Sequence, residues 1–172
     1  MLDGDLQTSV PRLEAAAAAL QAAGAGLYER WVQTTLARAL LRCGRADDAL
    51  ATMRKASQLI DRDGPGLYDA ELHRVFGEAV ATASGDASAA HARREFEKAI
   101  ATARRQGATL WELRALSSVA TLCRGRGNRH ELRTRMVDLL GRLSDADRCP
   151  DVVAARRALD ELPQKSGVQV RR

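Results

Sequence analysis

Residues 67–113 read LYDAELHRVFGEAVATASGDASAAHARREFEKAIATARRQGATLWEL, and their reading decides the fold. Leu72, Phe76, Ala79 and Val80 recur at helical steps in the first half, and Ala92, Phe96, Ala99 and Ile100 do so in the second. That periodicity, broken at Ser84-Gly85-Asp86, predicts two helices joined by a turn, with Gly107 ending the second. The opening Gly66-Leu67-Tyr68-Asp69 restates Gly26-Leu27-Tyr28-Glu29 forty residues earlier, and Leu110-Trp111-Glu112 echoes it again. The hairpin is therefore one unit of a repeat.

The preceding unit has a helix from Leu27 to Cys43 carrying Trp31, Leu36, Leu40 and Leu41, a turn at Gly44-Arg45, and a helix from Ala46 to Ile60. In that second helix Ala49, Leu50, Met53, Ala56 and Ile60 share a face, and Asp47 and Asp48 occupy the first turn, where the helix dipole favours negative charge. Asp63-Gly64-Pro65-Gly66 then breaks the chain. The following unit carries Trp111, Leu113, Leu116, Val119, Ala120 and Cys123, turns at Gly125-Arg126-Gly127-Asn128, and continues with Leu132, Met136, Leu139, Leu140 and Leu143.

Outside these three hairpins (about 27–61, 67–106 and 109–144), Ser9 is an N-cap candidate with Pro11 in the first turn of a leading helix that stops at Gly24-Ala25-Gly26. A short helix over 151–162 reads as a cap, with Val152, Ala155, Ala158, Leu159 and Leu162 covering the apolar end. The repeat domain thus spans 9–162, between a flexible start (1–8) and a polar, basic tail (163–172) without periodicity, read as disordered. The turn glycines Gly44, Gly85 and Gly127 are spaced by 41 and 42 residues, and Tyr28, Tyr68 and Trp111 by 40 and 43, so two markers agree on the period. Ala37, Gly77 and Ala120 fall at one step of the first helices, and Ala49, Ala92 and Ala56, Ala99 on the second, small enough for backbones to approach closely.

Leu36-Ala37, Leu40, Gly44, Ala49-Leu50, Met53 and Ala56 resemble the tetratricopeptide motif, and Phe76-Gly77, Val80, Ala92, Phe96 and Ala99 match it with a few inserted turn residues. The third unit departs at Leu132, where alanine is usual. The segments YDAELHRVFGEAV, FEKAIATARRQGATLWELRAL and DVVAARRALDEL are similar to the C-terminal helical-repeat region of large bacterial signalling proteins, in which a nucleotide-hydrolysing domain is joined to a cyclase, kinase or winged-helix regulator. The resemblance, over about 26–162, implies an all-α, right-handed superhelical stack of about eight helices. It also implies a cytoplasmic interaction or regulatory role with no chemistry in this segment.

Composition agrees with an all-α chain: 45% of the 172 residues are hydrophobic but only 3% aromatic, and much of the apolar share is alanine. The net charge of +5 arises from 27 basic and 22 acidic residues interleaved along helical faces, as on a solvated surface. Arg104, Arg105, Arg124, Arg126, Arg129, Arg133 and Arg135 form the densest basic region, yet the interleaved aromatics of a nucleic-acid surface are missing. No apolar run is long enough for a bilayer, and no phosphate loop occurs.

Cys43, Cys123 and Cys149 lack metal-ligand spacing, and His73, His91 and His130 lie far apart without a second ligand at the i,i+4 spacing of the metalloprotease type, so no metal or other cofactor is expected. No serine, histidine or carboxylate set forms a catalytic constellation, and the chain reads as a non-enzyme.

First helices of stacked hairpins line a concave groove. Reading one repeat onto the next aligns Trp31, Thr34, Arg38 and Arg42 with Glu71, Arg74, Glu78 and Thr82, and then with Arg114, Ser117, Thr121 and Arg124. This mainly basic row suits an acidic peptide or a partner domain, including another domain of a parent protein, with Trp31 as anchor or as a core residue. A pocket for a small effector that gates an output domain is the alternative. Leading with half a unit leaves Leu13, Ala17 and Leu20 uncovered, a route to a homodimer through the first helix.

Overall fold

The computed structural model describes residues 6–83, 86–122 and 128–162, and among them there are eight α-helices and no strand. In chain order these are α1 (Leu6–Ala22), α2 (Gly26–Arg42), α3 (Ala46–Asp63), α4 (Asp69–Ala83), α5 (Asp86–Arg105), α6 (Thr109–Leu122), α7 (Arg129–Arg142) and α8 (Pro150–Asp160). A single 3-10 turn, Ser144–Ala146, precedes α8. Much of the turn between α4 and α5, the 125–127 turn with Cys123, Arg124 and Arg126, and the ends 1–5 and 163–172 lie outside the described residues.

The turn out of α2 shows why the helices stop where they do. Gly44 takes φ +74°, a left-handed conformation that costs a residue with a Cβ about 1–2 kcal/mol. There the N–H of Arg45 reaches the Leu40 carbonyl (2.9 Å) and that of Gly44 reaches Leu41 (3.1 Å), satisfying carbonyls the helix would leave bare. Gly24 and Gly107 close α1 and α5 with the same pair of bonds. At the start of α7, Asn128 accepts from the Glu131 N–H at 3.3 Å while its amide donates to the Glu131 carboxylate at 3.1 Å.

Consecutive helices pack pairwise from α1 to α7, and the first helices of the hairpins also meet one another, α2 on α4 and α4 on α6. The last helix, α8, packs on α6 and α7, so the row α2, α4, α6, α8 is continuous. One apolar cluster, with Leu36, Leu40, Met53, Leu72, Val75 and Phe96, spans α1 to α5. A second, with Ile100, Leu113, Leu116, Met136, Val152 and Leu162, spans α5 to α8, and Val119 packs on both. The small residues sit at the closest approaches: Ala37, Ala49, Ala56, Gly77, Ala92, Ala99 and Ala120 are all buried.

Three details differ from the sequence expectation. The leading helix already includes Leu6, so Ser9 lies inside it rather than capping it. Pro11 forgoes one backbone bond near the helix start, and burial of Val10 offsets the loss. Ala17 is buried and Leu13, partly buried, packs on the first cluster, while Leu20 is half-buried, so the face expected to be uncovered is in part covered by the fold.

The third difference is at α4, which begins at Asp69 rather than Leu67. Buried Arg30 donates to the Gly64 carbonyl (3.0 Å) and to Asp69 Oδ1 (2.9 Å), and the Gly66 N–H donates to Asp69 Oδ2 (2.6 Å). This clasp holds Leu67 and Tyr68 in a turn. A Cβ at Gly66 would stand 2.8 Å from the Arg30 guanidinium, so a side chain there would have to shift the clasp.

Candidate functional site

The continuous row of α2, α4, α6 and α8 encloses one side of a cleft of about 610 Å³. Seven of the ten residues expected to form the groove line it: Arg38, Arg42, Arg74, Glu78, Arg114, Ser117 and Thr121. Glu71 lies just beneath, bonded to several of them. Thr34 does not reach the cleft, being buried with its hydroxyl donating to the Arg30 carbonyl at 2.8 Å. Trp31 is neither core nor cleft lining: it is 49% exposed, one ring step from Tyr68 (centroids 6.4 Å apart), which in turn meets Trp111 at 6.0 Å.

The equal step of the row in successive helices is what gathers these groups, because like positions on neighbouring helices come side by side. Arg74 donates to Glu71 through Nε (2.8 Å) and Nη2 (2.9 Å), a two-pronged pair, and through Nη1 to Glu78. Arg114 of α6 meets Glu71 at 2.8 Å and Asp151 of α8 at 3.4 Å. The Ser118 hydroxyl donates to Glu78 at 2.9 Å. Arg38 of α2 approaches Glu71 only to 3.9 Å, and its side chain is 41% exposed.

Electrostatics follow from this geometry. Burial pushes the Glu71 carboxyl up, but the hydrogen bonds from Arg74 and the charges of Arg74, Arg114 and Arg38 outweigh it and hold it below the ordinary range. Burial alone would lower Arg74; its bonds to Glu71 and the charge of Glu78 raise it instead. Arg114 is lowered, first by burial and then by the neighbouring Arg74 and Arg38, against the pull of Glu71 and Asp151. Three guanidinium groups therefore converge on one carboxylate.

On the α4–α5 seam, His73 Nδ1 donates to Glu95 at 2.8 Å and Lys98 donates to the same carboxylate at 2.7 Å, while His91 stands edge-on to Phe76. Burial pushes Glu95 up, and the hydrogen bonds from His73 and Lys98 bring it below the ordinary value. Since Glu71 and Glu95 both titrate lower folded than unfolded, their stabilisation is complete above about pH 4.3 and is lost as pH falls through their folded values. Thermal melts from neutral pH downward should show stability falling in that acid window. Glu71→Gln and Glu95→Gln should each flatten the decline; an unchanged slope in both variants would refute the assignment.

The sequence reading missed the fourth wall. Asp151, Ala154 and Ala158 of α8 line the cleft opposite the buried Val152, Ala155 and Leu159, so α8 shapes the cleft as well as closing the core. The i, i+3, i+7 spacing of one carboxylate and two alanines was the available signal. In the basic region, Arg104 and Arg135 converge on Glu112 (2.6 and 3.4 Å), Arg133 donates to the Leu159 carbonyl (3.0 Å) and Arg105 to Thr102 (2.9 Å), so these arginines are engaged within the fold.

Among the described residues no group of histidine, cysteine and carboxylate side chains is arranged to hold a metal, and Cys43 and Cys149 are free thiols. No helix there is long and apolar enough to cross a membrane. Compared with models of known protein families, with curated protein sequences and with solved structures, the chain has no significant match in any of the three.

Proposed function

We propose that the chain is a tetratricopeptide-like module, a right-handed superhelical stack whose groove binds an acidic peptide or partner domain. It would serve as the non-catalytic, cytoplasmic regulatory part of a bacterial signalling or transcription-regulatory protein. The sequence resemblance supports the family reading. The convergence of seven row residues on one cleft carries the binding reading. Among the arginines that face Glu71, Arg74 and Arg114 bond it closely, whereas Arg38 approaches it only to 3.9 Å. An incoming carboxylate would complete Arg38.

Panning a displayed library of short random peptides tests this. Acidic peptides should be enriched on the wild type and lost on Arg38→Glu with Thr121→Glu, both side chains being exposed enough to leave the fold intact. Equal enrichment on both proteins would sink the groove assignment. Arg74→Glu is the wrong probe, because it would bury a third carboxylate beside Glu71 and Glu78 and unfold the module.

The cleft volume of about 610 Å³ also falls within the roughly 300–1,000 Å³ of small-molecule sites, which favours a small anionic effector as the second reading. A true effector would raise the melting temperature with concentration by mass action, and a metabolite panel without any shift would remove it.

A further inference from the structure

Four of the five large apolar side chains exposed among the described residues lie at one end of the molecule: Leu27, Tyr28 and Trp31 in the first turns of α2, and Leu67 just before α4. They adjoin the row Trp31, Tyr68, Trp111, whose rings stand 6.4 and 6.0 Å apart. A cluster of that kind on a water-facing surface marks a binding face more often than an accident of composition.

Its position relative to the arginines narrows the occupant. Trp111 precedes Arg114 by one helical turn on α6 and Trp31 precedes Arg38 by two on α2, so on these two helices ring and charge share one face, while Tyr68, in the turn before α4, meets both tryptophan rings. At 1.5 Å per residue the row of rings lies about 10 Å along α2 from Arg38. An extended chain covers that distance in about three residues.

Resting on the groove reading above, we propose that the ligand is an extended acidic segment with an aromatic or leucine side chain seated on the Trp31–Tyr68 step and a carboxylate about three residues away on Arg38. Charge complementarity selects this occupant over a purely apolar one: Glu71 is taken up by Arg74 and Arg114, and Arg38 is held only at 3.9 Å. The rings supply flat apolar area and the guanidinium supplies direction.

Both tryptophans of the chain, Trp31 and Trp111, belong to the row, so intrinsic emission reports its coverage directly. Peptides enriched by panning on the wild type should carry a large apolar residue about three positions from an acidic one. A synthetic copy of the best should shift tryptophan emission and bind Trp31→Ala about tenfold more weakly. The half-exposed site lets that variant keep its fold, verified by its melting temperature. Acidic peptides that bind without moving emission, and bind Trp31→Ala as well as wild type, would overturn the anchor while leaving the groove in place. Enriched apolar peptides lacking acidic residues would overturn the charge pairing, and absence of any enrichment would overturn both the anchor and the groove.

Discussion

Glu71→Ala is expected to destabilise the protein by about 3–5 kcal/mol, the usual cost of removing one partner from a buried charge pair. Among the described residues, the carboxylate is the only acidic group that Arg38, Arg74 and Arg114 approach in common. Without it Arg74 keeps Glu78, Arg114 keeps Asp151 at 3.4 Å, and Arg38 loses its acidic neighbour, while the three cations still face one another across α2, α4 and α6. In a domain of this size the loss corresponds to a melting temperature lower by about 10 °C or more. Glu71→Gln should lose less, because its carbonyl still accepts from Arg74. Urea unfolding with an unchanged slope is the cleaner measurement, and a loss below about 1 kcal/mol would show that solvent already screens the cluster.

That expectation divides the row into two kinds of residue. Arg74 and Glu71 are buried and hold the hairpins together; Arg38 and Thr121 are more exposed and can change with little structural cost. A sequence reading sees five arginines in register and cannot tell which are desolvated, because burial is set by how close the next helix comes. Register was nevertheless enough to bring most of the row together. Spacing along one helix determines the face, and a near-constant repeat places that face beside its counterpart in the next unit.

Where expectation and structure part, a contact between distant residues is responsible. Local similarity aligns Tyr28 with Tyr68, yet Trp31, one turn later on the same face, is the ring that reaches Tyr68. The start of α4 moves to Asp69 because Arg30, thirty-nine positions earlier, captures that carboxylate. Nothing in the periodicity of either segment encodes such a partner. The helix stops at Gly24, Gly44 and Gly107 were legible because each is decided within six residues, by a left-handed glycine and the two hydrogen bonds that close over it. The α8 wall was missed for a third reason: a helix read for its apolar face was given one task, and its alanine face carries another.

Gly77→Leu tests the seam between α4 and α5 and should cost about 3 kcal/mol or more. A Cβ at Gly77 would stand 2.6 Å from Cε1 and 2.7 Å from Cδ1 of Phe96, inside any real contact distance. Phe96 is only 1% exposed, so moving its ring disturbs the packing around it. A helical glycine normally costs about 1 kcal/mol relative to alanine, and that penalty is accepted here because the aromatic ring occupies the space a side chain would need. Gly77→Ala regains the propensity but must still displace the ring, so its net effect should be smaller than that of leucine. Phe96→Ala alone should cost about 3–5 kcal/mol through the cavity it leaves. Combined with Gly77→Leu, the new side chain enters that cavity, and the double variant should be more stable than the sum of the two losses allows by at least about 1 kcal/mol. Strict additivity in the unfolding free energies would mean that the two residues do not share the space, and would displace this pair from the closest approach of the central hairpin.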